Sequence, residues 1–589
     1  MTRAPLFFCL TFATACADDS ADDGAVDSDV AAVDSDVAAV DSDVAAVDSD
    51  VAAVDSDDTH DIVEVTPAPP RPPVVVTWEP CDFLGDPSDL AACATVEVPL
   101  STRDPEQRTI PLFVKRLRAD PAVTPDDGPR RALWLLMGGP GQAGADGEGL
   151  VGVLAARDPG LDFYLIDHRG TGRSDRISCP SAEHPFSNGG ESVQPDEWPS
   201  CARQAVDEWG DALAYYSTTE AAYDLQSLID AIHADADQVF LLGVSYGTYL
   251  AQRYLALFPD GAGVDAVALD SICAADGCVL SQSDLWEDEV AHQILDLCPD
   301  DPDCSKYYPP DGPTVWQSLG TLYDRIAAGH CPLSDSPELD VQLLRVHLGM
   351  LMFNYGGRRL VPALVRRYLR CDPGDVAAIR HSFVTNLGFD PAQLGSAAMP
   401  VAPPAAAVDN LAFSWPLGVN ILVSELWGHP GPTIDQIESY HAAARSTRGA
   451  ALNAGHAAEV WPRYDEPLEG QWPTFAVPVL AMNADWDPAT PARYARAIAA
   501  HLPRPDQTYV EIPGHGHTVI AQGQLIDDPS TTCGRELLLQ FLADPGAPLD
   551  TGCLARSLPM QFKMRPAAVR YWLGADDLWD DAAPITPGR

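Results

Sequence analysis

The sequence predicts an α/β fold, a mostly parallel sheet flanked by helices and interrupted by an inserted, mainly helical segment. Two observations predict it. Continuous apolar runs, each leading into a loop signal, alternate with helix-length stretches, which is the pattern of strands buried on both faces. One of these runs passes through Gly243-Val244-Ser245-Tyr246-Gly247 straight into a helical pattern carried by Leu250, Tyr254 and Leu257.

The strands are read in order. Residues 132–137 lead into Gly-Gly-Pro-Gly, 162–167 into His-Arg-Gly-Thr-Gly, and 239–244 into Ser-Tyr-Gly; residues 264–270 form the fourth run. Two more, 477–483 and 507–512, follow only after a long stretch of different texture. That stretch, about 275 to 470, is rich in Trp and shows helical periodicity at 343–351 and 360–369. It reads as a helical cap inserted above the C-terminal strand edges, where such sheets keep their sites. The expected organisation is a signal peptide over 1–16, an acidic repeat and Pro-rich stalk over 17–73, the sheet domain over 74–274, the cap over 275–470, and the rest of the sheet domain with a C-terminal extension over 471–589.

Charge and composition narrow the class. The 589 residues carry 86 acids against 36 bases, a net charge of −50. Of these, 17 acids lie in the first 64 residues beside Arg3 alone, so the body keeps 69 acids against 35 bases. Such a surface repels phosphate backbones, and no basic stripe offsets it, so a nucleic-acid partner is not expected.

The N-terminus reads as an export signal. Arg3 precedes the apolar residues 6–12 and the small residues Ala13, Thr14 and Ala15, the order of a signal peptide. The run is too short to span a bilayer. Ala13-Thr14-Ala15-Cys16 resembles a bacterial lipobox with Ala in place of the usual Leu, and a lipidated Cys16 would attach the chain to a membrane. From Val26 the unit Val-Asp-Ser-Asp-Val-Ala-Ala recurs to Asp58, a self-repelling and extended tether that the Pro-rich residues 67–73 stiffen. The cysteines agree with export. Beyond Cys9 and Cys16 they come as near neighbours: Cys81 and Cys93, Cys179 and Cys201, Cys273 and Cys278, Cys298 and Cys304, Cys331 and Cys371, Cys533 and Cys553. Such neighbours suit loop staples in an oxidising compartment, although spacing does not fix connectivity. No Cys-x-x-Cys pair suggests zinc, and no metal site is expected.

The sharpest chemistry lies at Ser245. A strand, a tight turn and a helix around Gly-x-Ser-x-Gly would expose the Ser245 hydroxyl, with glycines where side chains would clash. A serine hydroxyl attacks only when a base takes its proton, and that base needs a carboxylate to fix its tautomer. Asp487, in Asn483-Ala-Asp-Trp-Asp-Pro-Ala-Thr-Pro491, follows a predicted strand, with Asp485 as its local competitor. The segment Pro513-Gly-His-Gly-His-Thr518 offers His515 and His517, of which His517 is favoured as the base. After residue 137, Gly138-Gly139-Pro140-Gly141 would place the Gly139 amide beside that of Tyr246 to bind a developing oxyanion, worth about 3 kcal/mol per donor. Gly139, Gly141 and Gly144 also match a dinucleotide-binding Gly-x-Gly-x-x-Gly, with Asp167 ending the next strand. That rival leaves Ser245 and the late histidines unexplained.

These motifs, in this order, resemble the exported tripeptidyl-aminopeptidase-like and proline-iminopeptidase-like α/β-hydrolases. The resemblance covers about residues 76 to 560, from Trp78-Glu-Pro-Cys81 to the Cys533–Cys553 region. It implies an α/β-hydrolase fold, Ser245 as nucleophile, Asp487 as acid, His517 as base, Gly139 and Tyr246 as oxyanion donors, and no cofactor. The implied function is a serine peptidase that removes residues or short peptides from free N-termini. A carboxylesterase using the same residues is the alternative, and a catalytically relict surface binding protein the second. The expected partner is a peptide or ester substrate. An aminopeptidase needs a carboxylate for the substrate ammonium, because a buried ammonium without a counter-charge is costly. Glu425, at the end of Gly418-Val-Asn-Ile-Leu-Val-Ser-Glu425, resembles the family's acidic residue after a hydrophobic cap segment and is the candidate.

Overall fold

The computed structural model describes residues 71–580 except 105–107, 125–128, 184–191, 235–236 and 394–411. The signal peptide, Cys16 and nearly all of the expected stalk lie outside the described residues.

A nine-stranded sheet forms the body, in the order β1-β2-β3-β5-β4-β6-β7-β8-β9. Its parallel part contains β4 (Arg131–Leu136), β5 (Asp162–Asp167), β6 (Gln238–Val244), β7 (Ala266–Asp270), β8 (Val479–Ala484) and β9 (Gln507–Ile512). All six match the apolar runs of the sequence to within two residues. Both faces are covered, as continuous apolar runs require: Leu133, Leu135, Phe240 and Leu242 enter one core, while Trp134, Leu136, Leu241 and Val267 enter the other. Three antiparallel strands, β1 (Glu79–Phe83), β2 (Asp86–Pro99) and β3 (Thr109–Leu117), precede them and were not expected.

Between β7 and β8 the chain is helical, including Ser283–Leu295, Pro337–Met352, Val361–Arg370, Trp415–Glu425 and Ala450–Ala458. The predicted periodicities at 343–351 and 360–369 fall on the second and third of these. This insertion has its own hydrophobic core around Leu319, Leu348 and Leu364. Two expected boundaries shift. Arg71, assigned to the stalk, bonds Glu220 at 3.1 Å and Asp224 at 3.3 Å with little exposure, so the packed body already includes it. The C-terminal extension, assigned to the sheet domain, instead completes the insertion: Phe562, Leu573 and Trp579 join its core. There Arg367 donates to the carbonyls of Leu578 (3.0 Å) and Asp577 (2.6 Å).

All six neighbouring cysteine pairs are disulfide-bonded. Among the described residues no helix is long and apolar enough to cross a membrane.

Candidate active site at the strand ends

β6 ends at Val244, and the chain turns at Ser245 with φ 57° and ψ −125° before the helix Tyr246–Leu257 begins. A non-glycine residue in this region is strained and persists only where its surroundings force it. They do so here. A Cβ on Gly247 would stand 1.9 Å from the Leu136 carbonyl, and one on Gly138 would stand 2.9 Å from the Ser245 Cβ. The glycines thus let the helix start and the 138–141 turn press against the serine from two sides. The amides of Gly139 and Tyr246 donate to no other described residue. For Tyr246 this follows from its place in the first helical turn, whose N–H groups lack intrahelical partners.

Asp487 and His517 meet after β8 and β9. The His517 Nδ1 lies 2.9 Å and 2.8 Å from the two Asp487 oxygens, and both side chains are buried. Asp487 also accepts from the amides of Ala489 (2.8 Å) and Thr490 (2.9 Å) and from the Thr490 hydroxyl (2.7 Å). Burial works to raise its pKa, yet His517 and the Thr490 hydrogen bonds outweigh burial and hold it below the usual carboxylate value. The site therefore keeps a fixed anion behind the imidazole. The backbone just past His517 is clamped in turn: Thr518 N–H donates to the Ser271 hydroxyl (2.7 Å), and Val519 and Ile520 donate to Asp270 (2.9 and 3.0 Å). Burial pushes the Asp270 carboxyl up to about 6.

The competing residues have other places. Asp485 accepts twice from the Gly514 N–H, at 2.9 and 3.0 Å, and so ties the histidine loop to β8. His515 is buried against Tyr355, and neither ring nitrogen has a hydrogen-bond partner. Burial, reinforced by Arg358, presses its pKa down to about 4. Asp167 is fully buried and accepts from the amides of Ala145 and Arg173, which leaves it no ribose to bind. The dinucleotide reading of Gly139, Gly141 and Gly144 loses its acidic partner.

Ser245, Tyr246, Gly139, Thr490 and His517 line one cavity of about 140 Å³. Pro140, Ala489, Trp198 and the helical insertion supply the rest, chiefly apolar and aromatic side chains such as Phe353, Phe413, Trp415 and Leu422. Glu425 does not line it. It sits one helical turn past Leu422, and its Oε1 accepts from the Thr218 N–H (2.9 Å) and the Tyr464 hydroxyl (2.6 Å). Its Oε2 faces Arg253 at 3.7 Å. The structure does not bring the expected ammonium-binding carboxylate to the cavity: Oε1 is held in a polar cluster behind it, while the buried Oε2 has no hydrogen-bond partner. No Asp or Glu is among the described residues lining the cavity, whereas Arg448 is.

Sequence reasoning missed Thr490, Asp270 and Arg448. Thr490 was discoverable, because Asp-Pro-Ala-Thr is the spacing at which an aspartate caps its own turn. Arg448, in a loop between two helices, carries no such signal. Among the described residues no cluster of His, Cys, Asp and Glu is arranged to hold a metal.

Comparison with known proteins agrees with this architecture. Residues 132–296 match the model of the alpha/beta hydrolase fold family, and residues 452–553 match that of the TAP-like proteins. Tripeptidyl aminopeptidases of Streptomyces lividans and of Streptomyces coelicolor are each 31% identical over 213 residues, 33% of this chain. The alignment spans 38% of the length of those relatives. Among solved structures, bromoperoxidase from Bacillus anthracis aligns at 15% identity over 76% of this chain and 100% of its own, with a TM-score of 0.30. The sheet order described above and the match of residues 132–296 give the chain an α/β-hydrolase fold, and its residues 452–553 are similar to the TAP-like proteins.

Proposed function

We propose that this hydrolase works through an acyl-enzyme on Ser245 and that its substrates are peptides, cleaved from the N-terminal end. One observation carries the reading: His517 is fixed by a buried Asp487 and shares a cavity with the strained Ser245. With Nδ1 bonded to Asp487, Nε2 takes the Ser245 proton as Oγ attacks the substrate carbonyl. The Gly139 and Tyr246 amides receive the oxyanion. The proton then passes to the departing amine and leaves an acyl-serine. Water, deprotonated by the same nitrogen, attacks the ester and restores the serine. The partial likeness to tripeptidyl aminopeptidases supports a peptide substrate.

A carboxylesterase is the second reading, favoured by a cavity lining without Asp or Glu. A panel of peptidyl anilides and simple esters decides between them. Ser245→Ala should abolish fluorophosphonate labelling and cost at least ~10³-fold in turnover on whichever substrate is used, with the fold intact. Labelling that persists in this variant overturns the mechanism.

We also infer export, because six disulfides persist where the compartment is oxidising. Attachment through Cys16 would appear as a lipid mass on the mature N-terminal peptide. An unmodified Cys16 there would remove the anchor.

A further inference from the structure

The only Asp, Glu, Lys or Arg among the described residues lining the cavity is Arg448. It is held unusually well for a residue outside the sheet. Its backbone N–H donates to Glu287 Oε2 at 2.6 Å, and its Nε and Nη2 donate to Glu287 Oε1 at 3.0 and 2.9 Å. Glu287 is 1% exposed. The guanidinium carbon stands 3.6 Å from the centre of the Phe353 ring, and that ring is 6.2 Å from the His517 imidazole. The planar fork is thus fixed on one edge and on one face before any substrate arrives, so little rotamer freedom remains to be lost on binding. The other edge is unused: Nη1 donates to no described residue.

Two features define what that edge can take. Glu287 already neutralises the guanidinium, and Asp284 lies beside Glu287, sharing the Thr447 hydroxyl as a donor at 2.8 and 3.1 Å. A free carboxylate would bring a third anion to the cluster, whereas a neutral carbonyl accepts the hydrogen bond at no such cost. The walls around it are apolar and aromatic, as suits the side chains of a short peptide. The departing chain must run out to solvent, but the acyl piece ends after a few residues.

Resting on the acyl-enzyme reading, we propose that Arg448 binds an internal amide carbonyl of the substrate's acyl segment through Nη1, so that the site selects peptidyl over single aminoacyl groups. Arg448 is then a specificity residue that touches substrate, and Glu287 is its positioning residue.

The test uses the full chain and protection of Ser245 from fluorophosphonate by two aldehydes, an apolar tripeptide aldehyde and the aldehyde of its last residue alone. In the parent protein the tripeptide aldehyde should protect at a concentration at least about tenfold lower, the gain expected of one hydrogen bond to a charged donor. Arg448→Lys keeps the charge beside Glu287 and removes the fork; it should erase that advantage while the single-residue aldehyde shifts less than threefold. A second arm needs no variant: replacing the inner amide of the tripeptide aldehyde by a trans-alkene should erase the same advantage in the parent. An unchanged advantage in either arm, or equal losses on both aldehydes, overturns the role of Arg448 while leaving the labelling intact. No labelling of the parent overturns the acyl-enzyme itself, and the two failures are therefore distinguishable.

Discussion

The strand-end loops and the helical insertion face one cavity, but they are built by different rules. At the strand ends short-range turns do part of the fixing, since Gly247 lets the helix start beside Ser245 and Thr490 caps Asp487 three positions away, while the loop that carries His517 is tied from farther off by Asp485, Asp270 and Ser271. In the insertion the groups are fixed across the fold. Arg448 is held by Glu287, 161 positions away, and Glu425 by Thr218, 207 positions away. Local rules position the bond-breaking atoms, and tertiary packing decides what the cavity accepts.

The two neighbouring histidines give the largest test of that division. Under the proposed mechanism His517→Ala should approach the Ser245→Ala loss, at least ~10³-fold in turnover, because such residues act as one unit. His515→Ala should cost only a few-fold in turnover. It should instead lower the melting temperature, since a buried ring is replaced by a void. Rates and melting curves measured on both variants check this. A reversed ranking in folded protein would make His515 the base and break the local rule.

The two aspartates make the next, smaller contrast. Asp487→Asn removes the anion behind the imidazole and should cost at least ~10² in kcat, with the wrong tautomer favoured at His517. Asp485→Asn leaves that anion in place and weakens only the two bonds from Gly514, so kcat should fall about tenfold or less. Equal losses would mean that loop anchoring and imidazole orientation are inseparable.

The same division explains what was legible in the sequence. β4 to β8 announced themselves because a strand buried on both faces has no freedom in composition, and β9, at the sheet edge, is only partly buried. β2 did not. Its first half is largely exposed and holds Asp86, Pro87 and Asp89, which read as a loop. The pentapeptide around Ser245, and Asp487 with the His515–His517 pair, could be found because each directly follows a strand that its apolar run marks. Spacing alone could not separate His517 from His515, since their difference is which one reaches Asp487 after the 513–518 turn. Glu425 lies away from the cavity lining for a related reason. Its position after a hydrophobic cap segment suggested a place in the site, but the helix ends there and two donors from other segments, Thr218 and Tyr464, hold its Oε1 away from the cavity. Arg448 carried no pattern at all, because its role depends on Glu287 and Phe353 arriving from elsewhere.

The smallest expected effect concerns Glu425, and it tests whether this carboxylate belongs to packing and not to substrate. The groups facing it are Thr218, Tyr246, Tyr464, Arg253 and, beyond Arg253, Glu466, which bonds that arginine at 2.7 Å. Burial raises its pKa from 4.5 to about 7, against the opposing pull of Arg253. Between those values the folded chain keeps a proton that the unfolded chain has released. The folded state then binds more protons, so the contribution of Glu425 makes stability fall as pH rises through that window. Glu425→Gln removes this titration but can still accept from Thr218 and Tyr464. Its melting temperature should therefore fall less than that of the parent between pH 5 and pH 7.5, by a few degrees at most. The free-amine preference of the enzyme, measured as the ratio of kcat/KM for a peptidyl anilide and its N-acetylated form, should stay within about twofold of the parent, because the carboxylate does not line the cavity. A collapse of that ratio, with the melting difference unchanged, would return Glu425 to the substrate and show that the insertion, like the strand ends, can be read from local sequence.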